Sequence, residues 1–294
     1  MEALVPHPPG RAQAWGDCDP DVRAYVVDTL DATGLRPVGV YVHGSLAMGC
    51  FYRAKSDVDV LVVVPETLTP AEREHVAQTL AHRAAHRPIV GDLELSVLTE
   101  DQAANHQHPR PFEVHYSAAW TARILAGDVD YTATHQDPDL AAHLTVTRHR
   151  GATVSGPPPA DVFASVPYGD YLAAITADLD DILAGDEILA SPYYGVLNAC
   201  RVLATRALGP GTVLSKEEAV PWARANLPPQ HHPLIDQALT CYRSTRPVTP
   251  TERPTDGHPW NHPALLNFRD TIRAALDDHS PKSQSDLTGG AQRK

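Results

Sequence analysis

VGVYVHGSLAMGCFYRAKSDVDVLVVV, residues 38–64, holds two short apolar runs, Val38–Val42 and Val58–Val64, on either side of a Gly-Ser turn and a pair of aspartates. Both runs are rich in β-branched residues and too short for buried helices, so they read as buried strands. Gly44-Ser45 opens the turn, Gly49 follows, and Asp57 and Asp59 stand at the mouth of the second strand. Side chains alternate along a strand with period two, so the two aspartates project from one face. Paired carboxylates there call for a cation.

The combination suits phosphoryl-type chemistry. Mg²⁺ ions can neutralise charge on the attacking and leaving oxygens of a triphosphate, provided oxygen ligands converge on them. Gly44 lets the backbone approach a phosphate, and the Ser45 hydroxyl and neighbouring amides can donate to it. An Asp-x-Asp pair alone is common on solvated loops. Strand, Gly-Ser, aspartate pair and second strand in that order are far more specific.

Ile89–Leu98, IVGDLELSVL, reads as a third core strand in which Asp92, Glu94 and Ser96 alternate with apolar residues. Its polar face can meet Asp57 and Asp59 on an adjacent strand, or it can face water as a half-exposed strand. From the pattern alone, either Asp92 or Glu94 can be a third carboxylate.

HGSLAMGCFYRAKSDVDVLVVV resembles the Gly-Ser…Asp-x-Asp signature of the nucleotidyltransferase superfamily named after DNA polymerase beta. FEVHYSAAWTARILAG (112–127), PDLAAHLTVTRHRGATVSGPPPADVF (138–163) and VLNACRVLATRALGPGTVLSKEEAVPWA (196–223) resemble the aminoglycoside 3''-adenylyltransferase family within it. The likeness spans roughly residues 25–245. It implies an α+β fold, with an amino-terminal nucleotidyltransferase mixed-sheet domain (1–155) followed by an all-α helical-bundle domain (156–280) and a disordered tail (281–294). The implied activity is transfer of AMP from ATP, with Mg²⁺, to a hydroxyl of an aminocyclitol. Asp57, Asp59 and Glu94 would hold the metal, and Glu94, favoured over Asp92 because it lies between two apolar residues, would also be the general base. Ser45, Ser56, Asp139, Arg201 and Lys216 would bind the nucleotide, and Trp120 would pack on the drug's ring.

Each of these residues also has a plainer reading. Trp120, in an expected helix Ser117–Ala126, can be core; Asp139 can be a helix-start acid; Arg201 can pair with a surface acid. Lys216 follows the cap of a Ser215–Glu218 capping box, an odd place for a cation unless an anion is near. Ser191, followed by Pro192, suits a helix start. Streptomycin-modifying relatives carry an aspartate there, although the alignment includes a two-residue insertion near Gly209–Thr212. Losing that charge favours spectinomycin and puts streptomycin in doubt.

The 294 residues suffice for two cores. A formal charge of −12 with 43 % apolar residues describes an acidic globular chain. A nucleic-acid polymerase would carry a basic track, so no nucleic-acid partner is expected. Acidity suits a small cationic substrate, although excess carboxylates are more often a solvated surface. Cys18, Cys50, Cys200 and Cys241 lack metal-ligand spacing and, with no signal-like start, read as reduced cytoplasmic thiols. No apolar run approaches a membrane span. A monomer is expected, with both ends, Met1–Pro20 and Ser280–Lys294, frayed.

A helix is expected over Asp21–Thr33, and Thr69-Pro70-Ala71-Glu72 predicts a capping box opening another that runs to about His86. His82 and His86 have zinc-compatible spacing but read as a chance pair among sixteen histidines. Asn105–Pro111 reads as a surface loop. Ser155-Gly156 and the triple proline Pro157–Pro159 read as the domain linker. Beyond it come helical periods at Tyr171–Leu183, Pro192–Leu208, Lys216–Leu227, His232–Ser244 and Ala264–Asp278. Transfer to a protein hydroxyl, a nucleotide-binding sensor and an interaction protein of the same fold stay as alternatives. A sensor would be expected to have lost a carboxylate, and all three are present.

Overall fold

The computed structural model describes residues 13–277. The expected tail 281–294 and the first twelve residues lie outside them. Strand β1 (Gly39–Val42) and strand β2 (Val58–Val64) form where the apolar runs predicted them. They join β3 (Leu93–Thr99), β5 (Val114–Tyr116) and β7 (Ala152–Ser155) in a sheet of order β5-β3-β2-β1-β7. Only β2 and β3 pair in parallel, so the sheet is mixed. A small second sheet pairs β4 (Arg110–Phe112) with β6 (His135–Asp137).

Helices α1 (Pro20–Thr33), α2 (Gly44–Ala47), α3 (Pro70–Ala84), α4 (Glu100–Ala104), α5 (Thr121–Ala126) and α6 (Leu140–Arg150) interleave with the strands. After Ser155, every regular element among the described residues is helical: α7 (Pro159–Val162), α8 (Tyr168–Leu183), α9 (Pro192–Leu208), α10 (Val220–Asn226), α11 (His232–Arg243) and α12 (His262–Asp277). None of the described helices is long and apolar enough to cross a membrane. All four cysteines are free and buried.

The central strands are covered on both faces. Val40, Val42, Val58, Val60 and Val62 pack with Val22, Val26, Val76 and Leu80 of α1 and α3. The alternate residues Tyr41, Leu61 and Val63 pack with Leu140 and Leu144 of α6 and with Phe163. Asp57 and Asp59 share the parity of Leu61, so the period of two points them toward the α6 side. A separate core fills the helical half, centred on α9, with Leu179, Val196, Ile235, Phe268 and Ile272 fully buried.

Local chemistry sets the helix ends. Asp19 accepts from the amides of Asp21 and Val22 to cap α1, and Gly34 closes it with φ of +70°. The reciprocal Thr69–Glu72 box opens α3. Residues 15–18, expected to fray, are ordered: Trp15–Asp17 form a 3-10 turn and Cys18 joins the sheet core. There the Gln13 amide donates to the Ala47 carbonyl at 2.7 Å, tying this segment to the Gly-Ser turn. The loop Asn105–Pro111 is not wholly on the surface, because Arg110 is buried and donates to the carbonyls of Gln102 and Asn105.

Two other boundaries differ from expectation. Strand β3 starts at Leu93 rather than Ile89 because residues 89–92 are bent around the aspartate loop. A Cβ on Gly91 would lie 2.0 Å from the Ser56 carbonyl oxygen, and the Asp92 amide donates to Asp57 Oδ1 at 2.6 Å. The Ser215–Glu218 box forms, with the Ser215 amide donating to Glu218 at 2.8 Å and the Glu218 amide returning to the Ser215 hydroxyl at 3.1 Å. It closes a single turn, and α10 starts only at Val220, because Pro221 has no N–H to continue the ladder.

Candidate active site

The parallel register sets Asp59 of β2 directly opposite Glu94 of β3, so the two carboxylates share one face of the sheet. Asp57, two residues before Asp59, joins them. Gly44 is required here twice over. Its φ is +59°, and a Cβ would come within 1.9 Å of Asp59 Oδ2. The Gly-Ser turn is thus seated on the carboxylate itself.

Three carboxylates so close disfavour one another's charge. Burial, followed by the charges of Glu94 and Asp57, pushes Asp59 up to about 7. Burial also raises Glu94, with the His143 charge opposing and Asp139 and Asp57 adding to the rise. His143 of α6 was not singled out from the sequence. Its Nε2 lies 3.2 Å from Asp139 and 3.8 Å from Glu94. Burial works against its proton, but the charges of Glu94 and Asp139, the Asp139 hydrogen bond and the Asp59 charge outweigh it and push His143 up to about 10. Asp139 is held below its usual range, because the His143 charge and hydrogen bond overcome desolvation. Asp139 stands at the start of α6 but makes no side-chain cap bond; its carboxylate serves His143 instead.

These groups line one cleft of about 450 Å³ between the sheet and the helical half. Ser45, Ser56, Asp57, Asp59, Glu94 and Asp139 from the sheet half and Ser191, Arg201 and Lys216 from the helical half all line it. Ser56 is buried, and its Oγ accepts from the Tyr52 amide at 3.0 Å. Lys216 places its Nζ 4.3 Å from the centre of the Tyr194 ring. Burial, then the charge of Arg201, lowers it to about 8. Arg201 donates to Asn198 and lies 3.9 Å from Asp178, which also accepts from the Tyr194 hydroxyl at 3.2 Å. Asp178 and Tyr194 also line the cleft, and neither was foreseen.

Two expected residues behave differently. Trp120 does not line this cleft. It packs on the sheet core, with Arg123 over its ring at 5.0 Å and the His115 and His135 rings against it. Ser191 lines the cleft at the start of α9, but its hydroxyl makes no cap bond; its carbonyl accepts from the Gly195 amide at 2.9 Å. His86 Nδ1 lies 3.1 Å from the carbonyl of His82, the other member of the noted pair.

The loop between Gly49 and Asp57 is fastened to the helical half. Tyr52 donates to Glu217 at 3.0 Å, and Tyr242 donates to the Cys50 carbonyl at 3.0 Å. Lys55 and Asp256 form an ion pair with both side chains almost fully buried. Arg253 reaches Asp57 Oδ1 at 2.6 Å. Its contact spans nearly two hundred residues, so no local pattern announces it.

Residues 161–256 match the family model described as the aminoglycoside adenylyltransferase C-terminal domain. A spectinomycin 9-adenylyltransferase of Staphylococcus aureus is 31 % identical over 216 residues, covering 72 % of this chain and 80 % of that protein. An aminoglycoside (3'')(9) adenylyltransferase of Klebsiella pneumoniae is 26 % identical over 208 residues, covering 70 % and 78 % respectively. The fold is shared with the spectinomycin adenyltransferase AAD(9) of Enterococcus faecialis, solved with ATP and spectinomycin, at a TM-score of 0.65 and 18 % identity, covering 85 % of this chain and 97 % of that one. A Gly-Ser turn seated on paired aspartates, a glutamate in register on the next strand and relatives of this extent lead to one assignment: the chain belongs to the aminoglycoside adenylyltransferase family.

Proposed function

We propose that the protein transfers AMP from ATP to a hydroxyl of an aminocyclitol antibiotic, spectinomycin in preference to streptomycin, with release of pyrophosphate. The observation that carries the reading is the gathering of Asp57, Asp59 and Glu94 on one sheet face, opposite Lys216 and Arg201 across one cleft.

The donor set fits a divalent cation of the Mg²⁺ type. Three carboxylates supply hard oxygen ligands, and a cation there would offset both the burial and the neighbouring negative charges that raise Asp59. Bound there, Mg²⁺ would neutralise charge building on the phosphate oxygens. Ser45, Ser56 and the backbone of the Gly44 turn are the donors for the triphosphate, and Lys216 and Arg201 offset its charge from the helical side.

Glu94 takes the proton of the substrate hydroxyl. That oxygen forms a bond to the α-phosphorus, the bond from the α-phosphorus to the bridging oxygen breaks, and the electron pair leaves with pyrophosphate. The His143 cation, held between Glu94 and Asp139, orients Glu94 and tempers the carboxylate repulsion. Positioning and charge neutralisation supply most of the rate.

On the acceptor side, Ser191 is neutral, so the charge that would favour streptomycin is missing. A cleft of about 450 Å³ walled by both halves suits a small substrate better than a protein hydroxyl. The test is mass spectrometry of spectinomycin and streptomycin after incubation with enzyme, ATP and Mg²⁺. An AMP adduct on spectinomycin is expected; adduct on neither drug would sink the assignment.

A further inference from the structure

We infer that Arg253 is a ligand of the terminal phosphates of the nucleotide and of the leaving pyrophosphate, exchanging Asp57 for them as they bind. This rests on the nucleotidyl-transfer reading above and adds a residue that no motif in the sequence marked.

Arg253 is a built part of the cleft rather than a surface cation. It lines the same cavity as Ser45, Ser56 and Lys216, and its side chain is only 20 % exposed. Nη2 donates to Asp57 Oδ1 at 2.6 Å and to the Lys55 carbonyl at 2.7 Å. Nε donates to the same carbonyl at 3.1 Å, and Nη1 lies 3.4 Å from Asp92 Oδ2. The guanidinium therefore grips the loop that carries Asp57 through four of its five N–H groups and keeps one Nη1 N–H uncommitted among the described residues.

The segment that carries it is held in register from both sides. Before Arg253, Thr249 and Glu252 form a reciprocal box, with the Thr249 amide donating to Glu252 at 3.0 Å and the Glu252 amide donating to the Thr249 hydroxyl at 3.2 Å. After it, Asp256 is buried against Lys55, two residues from Asp57. Such anchoring is more than a surface ion pair needs.

Asp57 Oδ1 already accepts two N–H groups, from Asp92 and from Arg253. A divalent cation on that carboxylate and a guanidinium 2.6 Å from its Oδ1 repel each other. That repulsion loosens the hold of the guanidinium on Asp57, and the phosphate end that the cation brings is an anion of matching fork geometry. Lys216 and Arg201 serve the helical wall, and Arg253 supplies a cation on the Asp57 side.

The test is calorimetric titration of the full chain with ATP, pyrophosphate and AMP, each with Mg²⁺, for wild type, Arg253→Ala and Arg253→Lys, with thermal melting to confirm folding. Arg253→Ala should weaken ATP and pyrophosphate by about tenfold or more, the size of a lost charge-assisted contact, and AMP by less than about twofold. Arg253→Lys should recover part of the loss for both phosphates. Unchanged pyrophosphate affinity, or an equal loss for AMP, would overturn the inference. So would tighter ATP binding in Arg253→Ala, which would make Arg253 a latch on Asp57. A wild-type chain that binds neither ATP nor pyrophosphate would instead refute the nucleotidyl-transfer reading itself.

Discussion

Replacing Asp256 by Asn tests what holds the Arg253 segment against the aspartate loop. Asp256 has φ of +56°, a left-handed conformation that asparagine adopts readily, so the substitution changes charge with little change of shape. Lys55 and Asp256 have side chains 0 % and 1 % exposed. Removing one partner of such a pair leaves a buried charge uncompensated, at a cost of about 3–5 kcal/mol. The two halves of the pair are not equivalent. Asp256 keeps His258 at 3.4 Å and Arg246 at 3.9 Å, whereas among the described residues Lys55 pairs only with Asp256 and otherwise faces the Tyr193 ring at 6.0 Å. Lys55→Met should therefore cost roughly 1–2 kcal/mol less than Asp256→Asn, and the double variant less than the sum of the singles. Urea unfolding at neutral pH measures all three. A loss below about 1 kcal/mol for Asp256→Asn, or a greater loss for Lys55→Met, would refute the argument that burial and partner count set the energy.

Three further outcomes are expected. Gly44→Ala forces a side chain into a left-handed turn and against Asp59 Oδ2, costing about 1–2 kcal/mol in conformation alone and displacing the carboxylate; turnover should collapse while the chain stays folded. Asp59 near 7 and His143 near 10 both hold protons in the folded state that the unfolded chain has released, so stability should fall as pH rises from about 4 to 7 and again from about 6.5 to 10. Urea midpoints should show excess Mg²⁺ flattening the first slope; a slope identical with and without Mg²⁺ would count against the metal assignment. Because Lys216 titrates near 8, KM for ATP should rise above that pH, and Lys216→Arg, which keeps its charge, should remove the rise. The same rise in both enzymes would exclude Lys216 as its source.

Where the signal was local, the chain was legible. The period of two and the β-branched runs placed β1 and β2, and the Thr69 cap placed α3. Parity also put Asp57 and Asp59 on one face, but opposition of Asp59 and Glu94 depended on a register that pattern alone leaves open. Local reasoning failed where a tertiary contact or a missing donor decided. Asp92 was drawn out of β3 by Asp57, and Pro221 cut the Ser215 box from its helix. Trp120 packs on the sheet core, the plainer reading that its sequence also allowed. His143 had one usable signal, its i, i+4 relation to Asp139, lost among sixteen histidines. Arg253 and Asp178 had none, since each meets its partners across the fold or as one acid among many.

The central claim is that Glu94 draws a proton from a drug hydroxyl so that AMP can be transferred to it. The most direct measurement is pyrophosphate release from ATP and Mg²⁺ with spectinomycin, streptomycin or no acceptor, comparing wild type with Glu94→Gln. Release that depends on spectinomycin, is weaker with streptomycin and drops by about 10²–10⁴-fold in the variant is the predicted result. Release indifferent to either drug, or undiminished in Glu94→Gln, would contradict it.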